Sequence, residues 1–194
     1  MDVTAKGPLC QLQRRFEHEI DKISGSRFIT VLLPCPDAEL VVAAQAQLRA
    51  EHPHSRHVCY AQVGATELQT RFSDDGEPSK TAGLPMLRVL LGASLRNTAV
   101  LVVRYFGGTK LGTGGLVRAY TDAVRQSVER APLLPLRVTE RRLLDVTYAD
   151  EPRLRHWCER HEVGVTVIEY GAGAVRVSLE GETTHLDAAL ARMG

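Results

Sequence analysis

Three groups of residues have the types and spacing to do chemistry. The largest is Arg104-Tyr-Phe-Gly-Gly-Thr-Lys-Leu-Gly-Thr-Gly-Gly-Leu-Val-Arg-Ala-Tyr120, where Gly107, Gly108, Gly112, Gly114 and Gly115 surround Thr109, Lys110 and Thr113. Successive backbone N–H groups in such a loop can form a nest for an anion. A following helix N-terminus adds unpaired N–H donors and a partial positive charge. Arg104, Lys110 and Arg118 would add side-chain charge, and the threonine hydroxyls can donate hydrogen bonds. The second group lies in Ser73-Asp-Asp-Gly-Glu-Pro-Ser-Lys80, where Asp74, Asp75 and Glu77 form an oxygen cluster of the kind that can hold Mg²⁺. The third is His57 and Cys59, two apart and so on one face of a strand, a conceivable nucleophile pair.

Each group also has a plainer reading. The glycines could make tight turns and let a helix pack close to a sheet. Five glycines with an embedded lysine and two threonines exceed what a turn requires, which favours a ligand-contacting loop. Asp-Asp-Gly followed by Glu-Pro is good turn chemistry and lacks the calcium-loop spacing, so no metal is expected there. Between the two, a carboxylate could hold Lys80, Arg104 or Lys110 in place. His57 and Cys59 have no identifiable orienting third group, and same-face neighbours on a strand are ordinarily packing residues. Two named phosphate loops are excluded. No Gly-Lys-Ser/Thr triplet exists for a Walker A loop, and Val117 stands where the dinucleotide fingerprint from Gly112 needs its third glycine.

The bulk properties agree with a site local to this window. The 194 residues carry a formal net charge of +1, too balanced for DNA binding by bulk electrostatics. Residues 72–125 hold seven basic against four acidic side chains and half of the sixteen glycines, so an anionic partner is favoured there. No apolar run approaches the roughly 18–20 residues of a membrane span. Residues 1–8 lack the apolar core of a signal peptide, and a cytoplasmic protein is the expectation. Cys10, Cys35, Cys59 and Cys158 are scattered without a C-x-x-C pair, which reads as free thiols rather than a disulfide frame or zinc site.

Several elements must position these residues. Residues 9–23 fit a helix through Leu9, Leu12, Phe16, Ile20 and Ile23, or a strand through Phe16, His18 and Ile20. Strands are predicted over 27–33, 57–63 and 99–103, the last without polar alternation and so covered on both faces. Helices are predicted from Asp37 to about Glu51, from Gly83 through Leu91, and from Leu116 with Tyr120, Ala123, Val124 and Val128 on one stripe. Pro132-Leu-Leu-Pro135 reads as a linker. Beyond it, the pattern predicts β-α-β-β-α, which suits a small ferredoxin-like domain. The expected domains are 1–132 and 138–194, and the fold class is α+β.

The motifs as a set resemble a known family. Ser24-Gly-Ser-Arg-Phe-Ile29, His57-Val-Cys-Tyr-Ala61, Ser73-Asp-Asp-Gly-Glu-Pro78, Thr81-Ala-Gly-Leu-Pro-Met-Leu87 and the run from Val103 to Tyr120 resemble the IMPACT/YigZ family, in its bacterial two-domain form. Two departures stand out: Lys80 occupies a position where a small residue such as glycine is expected, and Gly25 softens the usual Lys-Ser-Arg-Phe. The resemblance implies an N-terminal domain like domain 2 of ribosomal protein S5. It also implies a C-terminal ferredoxin-like domain like domain V of elongation factor G. Eukaryotic relatives regulate translation, and RNA or ribosome association is what that likeness carries over.

Three functions remain open on the sequence. One is a cytosolic RNA- or ribosome-associated regulatory protein, with a translation-related protein as a further partner. There the glycine loop, Arg104, Lys110, Arg118 and Lys80 would contact phosphates. Tyr105, Phe106 or Tyr120 would stack on bases, and His57, Asp74, Asp75 and Glu77 would support the site. The second is an enzyme acting on a phosphorylated small molecule or nucleotide. The third is a protein-binding module. No cofactor and no membrane partner are expected, and no catalytic residue is assigned.

Overall fold

A computed structural model describes residues 8–137 and 139–193; the reading of residues 1–7 lies outside them. The chain forms a mixed α/β fold and divides into two compact units, Met1–Leu136 and Arg137–Gly194.

The first unit is built on a five-stranded antiparallel sheet. Its strands are β2 (Phe16–Glu19), β3 (Arg27–Pro34), β4 (His57–Val63), β5 (Thr70–Ser73) and β7 (Thr98–Tyr105), in the order β2-β3-β7-β4-β5. In the centre, β7 has seven of its eight residues buried. Its even side chains Val100 and Val102 join Phe28, Leu32, Cys59 and Ala61 under α2 (Gly83–Gly92) and α3 (Gly112–Arg130). Its odd ones, Ala99, Leu101 and Val103, join Ile29, Val31 and Val58 under α1 (Ala38–Glu51). Covering both faces explains the missing polar alternation. Each fully buried Val or Leu here contributes roughly 1.5–3 kcal/mol. The stripe Leu116, Tyr120, Ala123, Val124 and Val128 is buried as its spacing predicts.

Three local expectations change. Residues 9–23 are extended, giving β1 (Cys10–Leu12) and β2 rather than a helix. Pro132–Pro135 is no free linker: Leu133–Pro135 is strand β8, antiparallel to β1, which also pairs in parallel with β6 (Leu95–Arg96). As β8 is an edge strand, Pro135 removes no ladder donor that a second neighbour would need. Helix α3 starts at Gly112 instead of Leu116, so three of the five loop glycines form its first turn.

The second unit has the predicted order: β9 (Thr139–Thr147), α4 (Glu151–Arg160), β10 (Gly164–Tyr170), β11 (Ala174–Glu182) and α5 (Thr183–Met193). Its antiparallel sheet runs β10-β11-β9, and Val146, Val175, Val177 and Leu179 pack with Leu154, Cys158, Leu186 and Ala189 of the two helices.

Candidate functional site

The Asp-Asp-Gly-Glu-Pro segment is a turn held by its own carboxylates. Oδ1 of Asp74 accepts the N–H groups of Ala82 at 3.0 Å and Gly83 at 2.8 Å, and Oδ2 accepts that of Lys80 at 2.7 Å. Asp74 therefore serves the start of α2 from eight residues upstream. Oδ2 of Asp75 accepts the N–H of Val58 at 2.5 Å, while Oδ1 pairs with Arg49. The carbonyl of Asp75 accepts a hydrogen bond from Nδ1 of His57 at 2.7 Å. These carboxylates are spent on the chain itself, as the turn reading has it. Among the described residues no group of three or more His, Cys, Asp or Glu is placed to hold a metal ion.

Glu77 is turned inward by this loop. Its Oε1 accepts from the Arg104 guanidinium at 2.6 Å and from the Tyr120 hydroxyl at 2.8 Å. Tyr120 is fully buried, so it is unavailable for base stacking, and burial pushes its hydroxyl pKa well up. Cys59 lies beside it, 3.4 Å from that hydroxyl and 3.1 Å from the Asp74 carbonyl. Burial raises the Cys59 pKa far above the ordinary thiol range, which disfavours the thiolate that a nucleophile needs. His57 and Cys59 do share a face, but only His57 reaches the cleft described next.

The glycine loop approaches the turn before β3 very closely. A Cβ on Gly107 would lie 1.9 Å from the carbonyl carbon of Gly25, so only glycine fits at 107. The Ser26 hydroxyl accepts the Gly107 N–H at 3.2 Å. By contrast, a Cβ on Gly114 would meet nothing within 4 Å, so packing does not require glycine there. Helix α3 has Leu111 in its N-cap position with no side-chain cap, leaving its first N–H groups without a capping side chain.

Loop and turn face one another across a cleft of about 440 Å³. Of the residues expected at the site, His57, Glu77, Arg104, Lys110, Gly112 and Thr113 line it. Lys80, Asp74, Asp75, Tyr105, Gly107, Gly108, Thr109, Gly114, Gly115 and Arg118 do not. Tyr105 instead meets Nδ1 of His52 through its hydroxyl at 2.8 Å. Lys80 is exposed with a left-handed φ of 62°, which accounts for the small residue expected at that position. Arg56, Gly76, Pro78, Phe106, Leu111 and Leu116 complete the walls. Arg56 was not singled out from the sequence; its only signal is adjacency to His57, and its N–H bonds the Arg104 carbonyl at 3.0 Å. Arg104 is neutralised by Glu77, whereas Arg56 and Lys110 are exposed and make no ion pair among the described residues.

No helix among the described residues is long and apolar enough to cross a membrane. The match to known proteins coincides with this site. Residues 24–128 match the Impact N-terminal domain. An IMPACT family member of Haemophilus influenzae is 44% identical over 77% of this chain and 73% of its own. The IMPACT family member YigZ of Escherichia coli is 47% identical over 57% of this chain, which spans only 56% of that relative. A crystal structure of a hypothetical protein, 31% identical, aligns over 95% of this chain and 90% of its own with a TM-score of 0.66. The two-domain translational regulator Yih1 aligns with a TM-score of 0.35 at 19% identity, too loose a likeness to bear on function. With its signature turn and glycine loop joined in one cleft and more than half its length matched, the chain belongs to the IMPACT family.

Proposed function

We propose that this cleft binds phosphate groups of RNA, and that the protein is a cytoplasmic, RNA- or ribosome-associated regulator of translation. In this reading the first unit is a domain like domain 2 of ribosomal protein S5, and the second is ferredoxin-like, similar to domain V of elongation factor G. The observation that carries the reading is convergence: two cations without an ion pair among the described residues, Arg56 and Lys110, meet the N-terminus of α3, which has no side-chain cap, in one cleft. A negative phosphate there gains N–H donors, the helix dipole and two side-chain charges together. Gly114 supports it, because glycine there serves neither packing nor a left-handed turn and permits close approach to the backbone. Phe106, 44% exposed on the rim, offers a ring face for a base. The loop's Gly107, Gly108, Thr109, Gly115 and Arg118, with Lys80, would extend contact along the strand outside the cleft.

An enzyme of phosphorylated small molecules is less well supported, since Asp74 and Asp75 are engaged by backbone N–H groups and Arg49, and Cys59 is sealed in the core. The test is RNA binding by fluorescence anisotropy over a salt series. Affinity should fall with salt, and Lys110→Ala should weaken binding and reduce the slope of log K against log salt by roughly 0.7–0.9. Salt-independent binding, or none to either structured or single-stranded RNA, overturns the reading.

A further inference from the structure

The sheet of the second unit has one edge built for further pairing. Strand β9 pairs with β11 along its whole length, and no strand among the described residues pairs with its other side. Its 9 residues are long for an edge strand, with no proline and an unbroken register. The opposite edge differs: β10 shifts register between Val167 and Glu169. Such a bulge turns an edge away from new partners, whereas a regular edge presents a row of open N–H and C=O groups to another strand.

The side chains of β9 say which strand fits. Leu144 and Val146 pack inward with Leu154 and Leu186. Thr139, Arg141, Leu143, Asp145 and Thr147 are exposed on the other face, Leu143 at 65%. Threonine, cation, leucine, anion, threonine is an order complementary to its own reversal. We propose that the protein self-associates through β9, a second copy pairing antiparallel with it about a two-fold axis at Leu143. Two three-stranded sheets then join into one. Arg141 meets Asp145 of the second copy, Leu143 meets its own counterpart, and Thr139 meets Thr147. Opposite charges, apolar pairs and threonine pairs are all favourable neighbours across an antiparallel ladder.

The charges already in the sheet extend the match. Arg141 pairs with Glu180 at 2.7 Å, and Asp145 with Arg176 at 2.8 and 3.0 Å. Across the junction Glu180, Arg141, Asp145 and Arg176 follow one another with alternating sign. The register is specified as well: a slip of two residues in either direction sets Leu143 against Arg141 or Asp145 and breaks both new ion pairs. Because the contact is isologous, it closes at two copies instead of growing into a filament.

The experiment measures mass against concentration by sedimentation, with circular dichroism to confirm folding. The mass of the unaltered protein should double as concentration rises through the micromolar range, as suits a small interface. Leu143→Lys and Leu143→Glu, at an exposed position, should stay folded and raise the dissociation constant about tenfold, since like charges then oppose each other across the axis. An equimolar mixture of the two variants should recover the dimer, because lysine then faces glutamate. A protein that stays monomeric overturns the proposal. So does a dimer that neither variant weakens, or a mixture that associates no better than its components.

Discussion

Glu77 and Arg104, twenty-seven residues apart in the chain, meet at 2.6 Å with side chains 3% and 6% exposed. This pair is what makes one surface of two segments. It ties the Asp-Gly-Glu-Pro turn to the end of β7, from which the glycine loop departs. The Arg104 guanidinium also lies over Phe28 and Phe106, 5.6 and 5.8 Å from their ring centres. In consequence Arg104 is engaged within the fold, whereas Arg56 and Lys110 line the same cleft and make no ion pair among the described residues.

Breaking this pair should unfold the site. Glu77→Ala or Arg104→Ala leaves a buried charge uncompensated and should cost about 3–5 kcal/mol. Replacing both with leucine should cost less than the two single changes summed, because neither charge is stranded. Urea unfolding of the four proteins checks this; additive losses would mean that the pair is not energetically coupled.

The two kinds of glycine in the loop should separate cleanly. Gly107→Ala drives a methyl into the Gly25 and Ser26 backbone and should lose about 1–3 kcal/mol. Gly114→Ala meets open space in the first turn of α3 and should hold or gain up to about 1 kcal/mol. Thermal unfolding of both variants is the measurement. RNA affinity should fall for Gly114→Ala despite its intact fold.

Thiol chemistry should find only one cysteine. Cys35, Cys59 and Cys158 are buried, and burial raises the pKa of each, so the reactive thiolate is suppressed at pH 8. Cys10 is partly exposed. Titration with an aromatic disulfide reagent should release about one equivalent from the native protein and four after denaturation. Rapid native labelling of Cys59 would contradict the sealed core around Tyr120.

Lys80 occupies a conformation that disfavours a side chain. Its φ of 62° is left-handed, and its N–H is held by Asp74. Relief of roughly 1–2 kcal/mol is offset by roughly 0.5–1 kcal/mol of glycine's chain entropy. Lys80→Gly should therefore stabilise by up to about 1.5 kcal/mol, while Lys80→Ala should give no gain. Denaturation midpoints of the three proteins decide it.

Much of this protein is legible without coordinates because its signals are local. Hydrophobic period with local cap and turn signals places α1, α2 and the buried stripe of α3, and the unbroken apolar run of β7 correctly implies that both its faces are covered. The clustering of glycines, Lys110 and the Asp-Gly-Glu-Pro turn marks the neighbourhood of the site, and the motifs suffice for the family. What the sequence could not supply depends on long-range partners. Leu133–Pro135 becomes a strand only because β1 arrives beside it from the other end of the unit. Arg104 reads as a phosphate ligand until Glu77 is found against it, and that the Asp74 carboxylate gathers the N–H groups of Lys80, Ala82 and Gly83 depends on how the turn meets the start of α2. Arg56 carries no motif at all. Residue types and spacing determined which groups were available, whereas only tertiary packing decided which charges cancel internally and which remain open to a ligand.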